Sequence, residues 1–121
     1  MGIYEVSATT SFSAAHRIVG HDGACKDIHG HNWKVEAVFA SRKLNKLGMV
    51  VDFHDVKREM DLLSALFDHK MINEVPEFGG ANPTAENMAE FFFKRLKKSL
   101  KLKPAYVRVF ETDETWAGYR G

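Results

Sequence analysis

Between residues 33 and 39 the chain alternates, with Trp33, Val35, Ala37 and Phe39 on one parity and Lys34 and Glu36 on the other. That period of two predicts an antiparallel strand with one face buried. His29 and His31 lie on the parity of the apolar set, so the strand begins with two imidazoles and continues into the core. Residues 3–12, rich in β-branched and aromatic side chains, predict an earlier strand that leads to His16. Residues 44–48 predict a turn and residues 49–51 a short strand continuation. The period then changes. Asp52 reads as an N-cap, and Phe53, Val56, Met60, Leu63 and Phe67 recur at intervals of three and four, one face of a helix. Residues 68–83, with two prolines and a Gly-Gly pair, predict an irregular loop. Thr84 caps a second helix striped by Met88, Phe92, Leu96 and Leu100 and stopped by Pro104. Residues 105–112 return to strand, with Ala105, Val107 and Val109 on one face and Glu111 continuing their parity, and residues 115–119 make a last short strand. Helices and strands are segregated, which predicts an α+β fold, an antiparallel sheet with two helices on one face.

Composition narrows the classes. A chain of 121 residues, 45% of them hydrophobic and without linker or repeat, makes a single domain spanning 1–121. A net charge of +1 carries no footprint for nucleic acid, and the basic run KRLKKSLKLK at residues 94–103 reads as the solvated face of the second helix. Residues 1–15 lack an apolar signal core, no stretch has the length of a membrane span, and the one cysteine makes no internal disulfide, so a cytoplasmic protein is expected. Amphipathic strands with free edges point to a homo-oligomer.

Candidate chemistry is concentrated in FSAAHRIVGHDGACKDIHGHNW, residues 12–33. On a strand, positions i and i+2 project on one face roughly 7 Å apart, so His29 and His31 can converge on one ion, with His16 arriving from the neighbouring strand. Three neutral imidazoles with an open fourth position suit a catalytic zinc. Cys25, the only cysteine, is then a candidate thiol base or, in a closed structural site, the fourth ligand. A buried cysteine is also ordinarily an inert small hydrophobe. Glu111, at the end of an apolar strand face, needs a partner to offset its burial. His21 and His54 read as solvated.

Together, FSAAHR, Cys25, HGHNW, the Asp68-His69 pair after the first helix, PTAEN opening the second and Glu111-Thr112 near the end resemble the 6-pyruvoyl and 6-carboxytetrahydropterin synthase family. The resemblance spans nearly the whole chain in motif order. It implies the tunnelling fold, in which four-stranded antiparallel sheets with paired helices join into a barrel of several subunits, a hexamer or tetramer with active sites at subunit interfaces. It implies zinc on His16, His29 and His31, Cys25 as base, Asp68 and His69 as the partner acid and base, and Glu111 as anchor of a pterin. Thr84 and Thr112 are candidate substrate contacts, each with an alternative reading as a cap or surface residue. The implied substrate is a small molecule, 7,8-dihydroneopterin triphosphate. The family divides by product, and the three residues Lys26, Asp27 and Ile28 between Cys25 and HGH favour the carboxy branch, which releases acetaldehyde as well as triphosphate on the way to 7-deazaguanine compounds such as queuosine. The pyruvoyl product is the alternative within the family. A zinc-stabilised binding module without catalysis is the alternative outside it.

Overall fold

A computed structural model describes residues 2–23 and 26–121 of the chain. Strand β1, Tyr4–His16, and strand β2, His29–Ser41, pair antiparallel over their whole lengths, from Tyr4 opposite Ser41 to His16 opposite His29. Helix α1, Phe53–Ala65, starts on Asp52, whose side chain accepts the His54 N–H at 2.8 Å. Helix α2, Ala85–Leu100, starts on Thr84, whose Oγ1 accepts the Asn87 N–H at 3.1 Å. Strand β4, Tyr106–Thr112, pairs with β2, and strand β5, Thr115–Tyr119, pairs with β4, both antiparallel.

The core lies between the helices and one face of this sheet. Trp33, Val35, Ala37 and Phe39 of β2, with Val107 and Val109 of β4, meet Val56 and Met60 of α1 and Met88, Phe92 and Leu96 of α2. Phe12 stacks between Trp33 and Phe92, at ring separations of 6.1 and 6.2 Å, so the two strands that carry the histidines are tied to α2. Truncating a buried aromatic such as Phe92 to alanine costs about 3–5 kcal/mol. Phe53 departs from its predicted stripe and is exposed, because it is the first residue of α1 and lies beyond the core's edge.

Two predicted segments differ. Residues 49–51 form no strand: Asn45 accepts the Leu47 and Met49 N–H groups on its side chain and bonds the Met49 carbonyl through its own N–H, which consumes the ladder partners. Residues 68–83 are not irregular throughout. They hold strand β3, Lys70–Met71, parallel to β1, and two turns of 3-10 helix at Ile72–Glu74 and Pro76–Phe78. The sheet therefore has five strands in the order β3-β1-β2-β4-β5, four antiparallel and one short parallel edge. Ile72, fully buried, pins this segment to the core. Among the described residues no helix is long and apolar enough to cross a membrane.

Candidate metal centre

His16 and His29 are directly opposite each other across β1 and β2, and His31 sits two positions along β2, opposite Ala14. Facing pairs in an antiparallel ladder bring side chains within 4.5–5.5 Å at Cβ. Here the imidazole centroids are 4.5 Å apart for His16 and His29, 4.9 Å for His29 and His31, and 5.2 Å for His16 and His31. The indole of Trp33 forms the inner wall, 4.9 Å from His16 and 5.6 Å from His31. Glu111, one step past the last β2–β4 pair of Lys34 and Phe110, turns its carboxylate to the same place. Its Oε2 is 3.2 Å from His31 Nε2 and 3.8 Å from His16 Nε2.

Backbone carbonyls set the orientation of two rings. His16 Nδ1–H donates to the Pro83 carbonyl at 2.7 Å and His29 Nδ1–H to the Asp27 carbonyl at 2.8 Å. A carbonyl can only accept, so in the neutral rings the proton is on Nδ1 and each Nε2 presents a lone pair to the common centre. Burial pushes the His16 and His31 imidazoles below their ordinary value, against the raising effect of Glu111, which favours these neutral forms. His16 Nε2 and His31 Nε2 are buried without a hydrogen-bond partner among the described residues. One donor atom from each of His16, His29, His31 and Glu111 falls within 4.8 Å of the others. Converging lone pairs and a carboxylate repel one another unless a cation lies between them, so the donor set fits a divalent metal ion.

The Asp68-His69 pair is held elsewhere. Asp68 Oδ1 accepts the Ser13 N–H at 2.9 Å, and the His69 N–H donates to the Ser13 carbonyl. His69 Nδ1 is 3.0 Å from Asp68 Oδ2, so the carboxylate orients the ring, and the Ser13 N–H, with His69 after it, holds the Asp68 carboxyl below the usual carboxylate range. His69 is left-handed, at φ 60°, and 83% of its side chain is exposed. It lines a shallow groove with Ser13, Ala14, Ala15, Gly30, His31 and Asn32. Among the described residues no hydrogen bond or ion pair joins Asp68 or His69 to His16, His29, His31 or Glu111. A Cβ at Gly30 meets only the Ala14 carbonyl, at 3.8 Å, so the chain's own packing does not demand glycine there.

Cys25 lies outside the described residues. The Thr84 hydroxyl caps α2, and the Thr112 hydroxyl bonds that of Thr115 at 2.8 Å and accepts the Glu114 N–H, so both act locally in the chain. Sequence reading did not include Glu111 among the metal donors, although the shared parity with Val107 and Val109 was the available sign. It also missed the Pro83 and Asp27 carbonyls, which carry no side-chain signature.

Residues 5–121 match the family model described as 6-pyruvoyl tetrahydropterin synthase. The chain is 44% identical to a putative 6-carboxy-5,6,7,8-tetrahydropterin synthase of Archaeoglobus fulgidus, covering 95% of this chain and 94% of that one. It is 32% identical to the 6-carboxy-5,6,7,8-tetrahydropterin synthase of Haemophilus influenzae, covering 98% and 99%, and 33% identical to human 6-pyruvoyl tetrahydrobiopterin synthase, covering 97% and 91%. Its structure superposes on the 6-pyruvoyl tetrahydropterin synthase of Caenorhabditis elegans with a TM-score of 0.85 at 30% identity, covering 100% of this chain and 97% of that one.

Proposed function

Because the chain belongs to the 6-pyruvoyl tetrahydropterin synthase family, whose members are pterin synthases, we propose that it converts 7,8-dihydroneopterin triphosphate and one water to 6-carboxy-5,6,7,8-tetrahydropterin, acetaldehyde and triphosphate. The convergence of three imidazoles and one carboxylate on a common point is the observation that carries an enzyme reading. Three-residue spacing between Cys25 and His29, with the A. fulgidus and H. influenzae relatives named as carboxy enzymes, favours the carboxy product and a place in queuosine biosynthesis.

His16, His29 and His31 would hold the metal, taken as Zn²⁺ because neutral imidazoles and an open position suit that ion. When bound, it supplies Lewis acidity that polarises a substrate oxygen and makes a neighbouring carbon acid easier to deprotonate. Cys25, as thiolate, takes the carbon-bound proton. His69, aligned by Asp68, donates or relays a proton near neutral pH. Glu111 accepts from the amino and ring N–H groups of the pterin edge, a two-point match for a carboxylate. With His69 exposed and, among the described residues, no bond joining it to the histidine cluster within one chain, the reading is a homo-oligomer in which one subunit's pair completes another's metal centre.

Product analysis tests this reading. The purified chain incubated with 7,8-dihydroneopterin triphosphate should yield acetaldehyde in equal amount to 6-carboxytetrahydropterin. Triphosphate release with 6-pyruvoyl tetrahydropterin and no acetaldehyde would assign the pyruvoyl branch. Turnover of neither kind in a metal-loaded sample would favour the zinc-stabilised binding module.

A further inference from the structure

β1 ends at His16, but the chain stays tied along the same edge for three more residues. On that edge the Ser13 backbone is bonded by Asp68 and His69, and Ala14 and Ala15 pair with β3. Beyond the β3 pairing no strand continues along this edge among the described residues, and two carboxamides take its place. Asn73 Oδ1 accepts the Arg17 N–H while Asn73 Nδ2 donates to the Arg17 carbonyl, both at 3.0 Å. Asn82 Oδ1 accepts the Val19 N–H at 2.9 Å while Asn82 Nδ2 donates to the Val19 carbonyl at 3.0 Å. Residues 17 and 19 share an edge because backbone polar groups alternate along an extended chain. A primary amide, one donor and one acceptor in a plane, is the side chain that can answer both groups of a residue at once.

The second clamp connects to the metal ligand by a short path. The Asn82 carbonyl accepts the Asn87 Nδ2–H and the Thr84 N–H, both at 2.8 Å, which fixes it to the first turn of α2. The next carbonyl, that of Pro83, is the one that orients His16. We propose that Asn82, with Asn73 beside it, is a positioning residue for the metal centre: it locks the chain leaving His16 to the start of α2, so that the Pro83 carbonyl and the His16 ring keep one relative placement. This rests on the metal reading of the histidine cluster but not on the identity of the substrate.

Asn82→Asp tests it, since the carboxylate keeps the shape and the acceptor for the Val19 N–H but sets an oxygen against the Val19 carbonyl. The probe is Co²⁺ alone, read by chelator competition and by its visible absorption, with amide exchange at Val19 and Phe92 in the metal-free chain. Expected is a loss of about 10–100-fold in Co²⁺ affinity, the range for removed outer-sphere partners, an altered Co²⁺ spectrum, faster exchange at Val19 and retained protection at Phe92. Asn73→Asp should shift affinity in the same direction, and it serves as the second variant should Asn82→Asp lose protection at Phe92. Leu63→Ala, which loosens packing away from the clamps, should leave affinity and spectrum unchanged. Wild-type affinity and spectrum in a folded Asn82→Asp, or in Asn73→Asp where only that variant folds, would overturn the proposal, as would an equal loss in Leu63→Ala. Failure of the wild-type chain to bind Co²⁺ would remove the metal reading and this inference with it. Co²⁺ binding with the expected response but no pterin turnover would leave the clamp standing and reject the synthase reading alone.

Discussion

At His16 the local chemistry is constrained from both sides of the ring, one nitrogen bonded to a carbonyl and the other buried without a partner. Removing a neighbour that would share an ion held there should therefore be felt at once. His29→Ala and His31→Ala are each expected to lose most bound metal on elemental analysis of the purified protein, and full occupancy in both would place the metal elsewhere. Glu111 calls for a separate test, because its Oε2 lies 3.2 Å from His31 Nε2 while its proposed role is toward the pterin. Glu111→Gln keeps the shape but opposes a donor to a donor on the pterin edge. Pterin affinity by calorimetry should weaken at least about tenfold, equivalent to roughly 1.4 kcal/mol, with the metal retained by the three histidines. Loss of metal with unchanged pterin affinity would instead make Glu111 the fourth ligand.

Among the elements, the start of α2 carries more than one duty. Thr84 caps the helix, and the residue before it presents the carbonyl that orients His16. Thr84→Ala should lower unfolding stability by about 1 kcal/mol, within the range for a lost N-cap, measured by urea denaturation of the metal-free chain. A value near zero would mean that another group satisfies the Asn87 N–H. Strands β1 and β2 impose a pH dependence on the same chain. Burial lowers the folded-state value of His16 and His31 below that of an ordinary imidazole, about 6.5, so between the folded and unfolded values the unfolded chain binds more protons. The stability that these neutral rings contribute is complete above about pH 6.5 and is lost as pH falls through that value toward the folded one. The urea midpoint of the metal-free chain should drop on acidification through this window, and His16→Gln should make the drop shallower.

For the whole molecule, the exposure of His69 and the absence, among the described residues, of any bond from it to the histidine cluster are the reason to test for shared sites. Cys25→Ala and His69→Asn should each reduce turnover by roughly the 10²- to 10⁴-fold of lost acid–base catalysis. If the two residues act from different subunits, co-refolded mixtures of these inactive variants should regain turnover, since some sites then combine an intact Cys25 with an intact His69. Mixtures no more active than the separate variants would mean that one chain supplies both.

Periodicity was enough to establish the elements that bury an apolar face. Trp33 through Ala37 alternate in sequence and in burial, Val38 then being buried on the other parity, and Met88, Phe92 and Leu96 face the core at the predicted helical spacing. The convergence of His29 and His31 was likewise legible, because side-chain parity on a strand is a local property. Residues 49–51 and 68–83 were misread because their backbone partners, the Asn45 side chain in one case and β1 in the other, leave no periodic trace. Tertiary structure alone decided that His16 stands opposite His29, which depends on the register of a hairpin closed across residues 17–28. It alone brought Glu111 to the imidazoles and set Pro83 and Asn82 behind His16, since these contacts join segments 63 to 95 positions apart or depend on carbonyl and amide groups whose partners no sequence pattern announces.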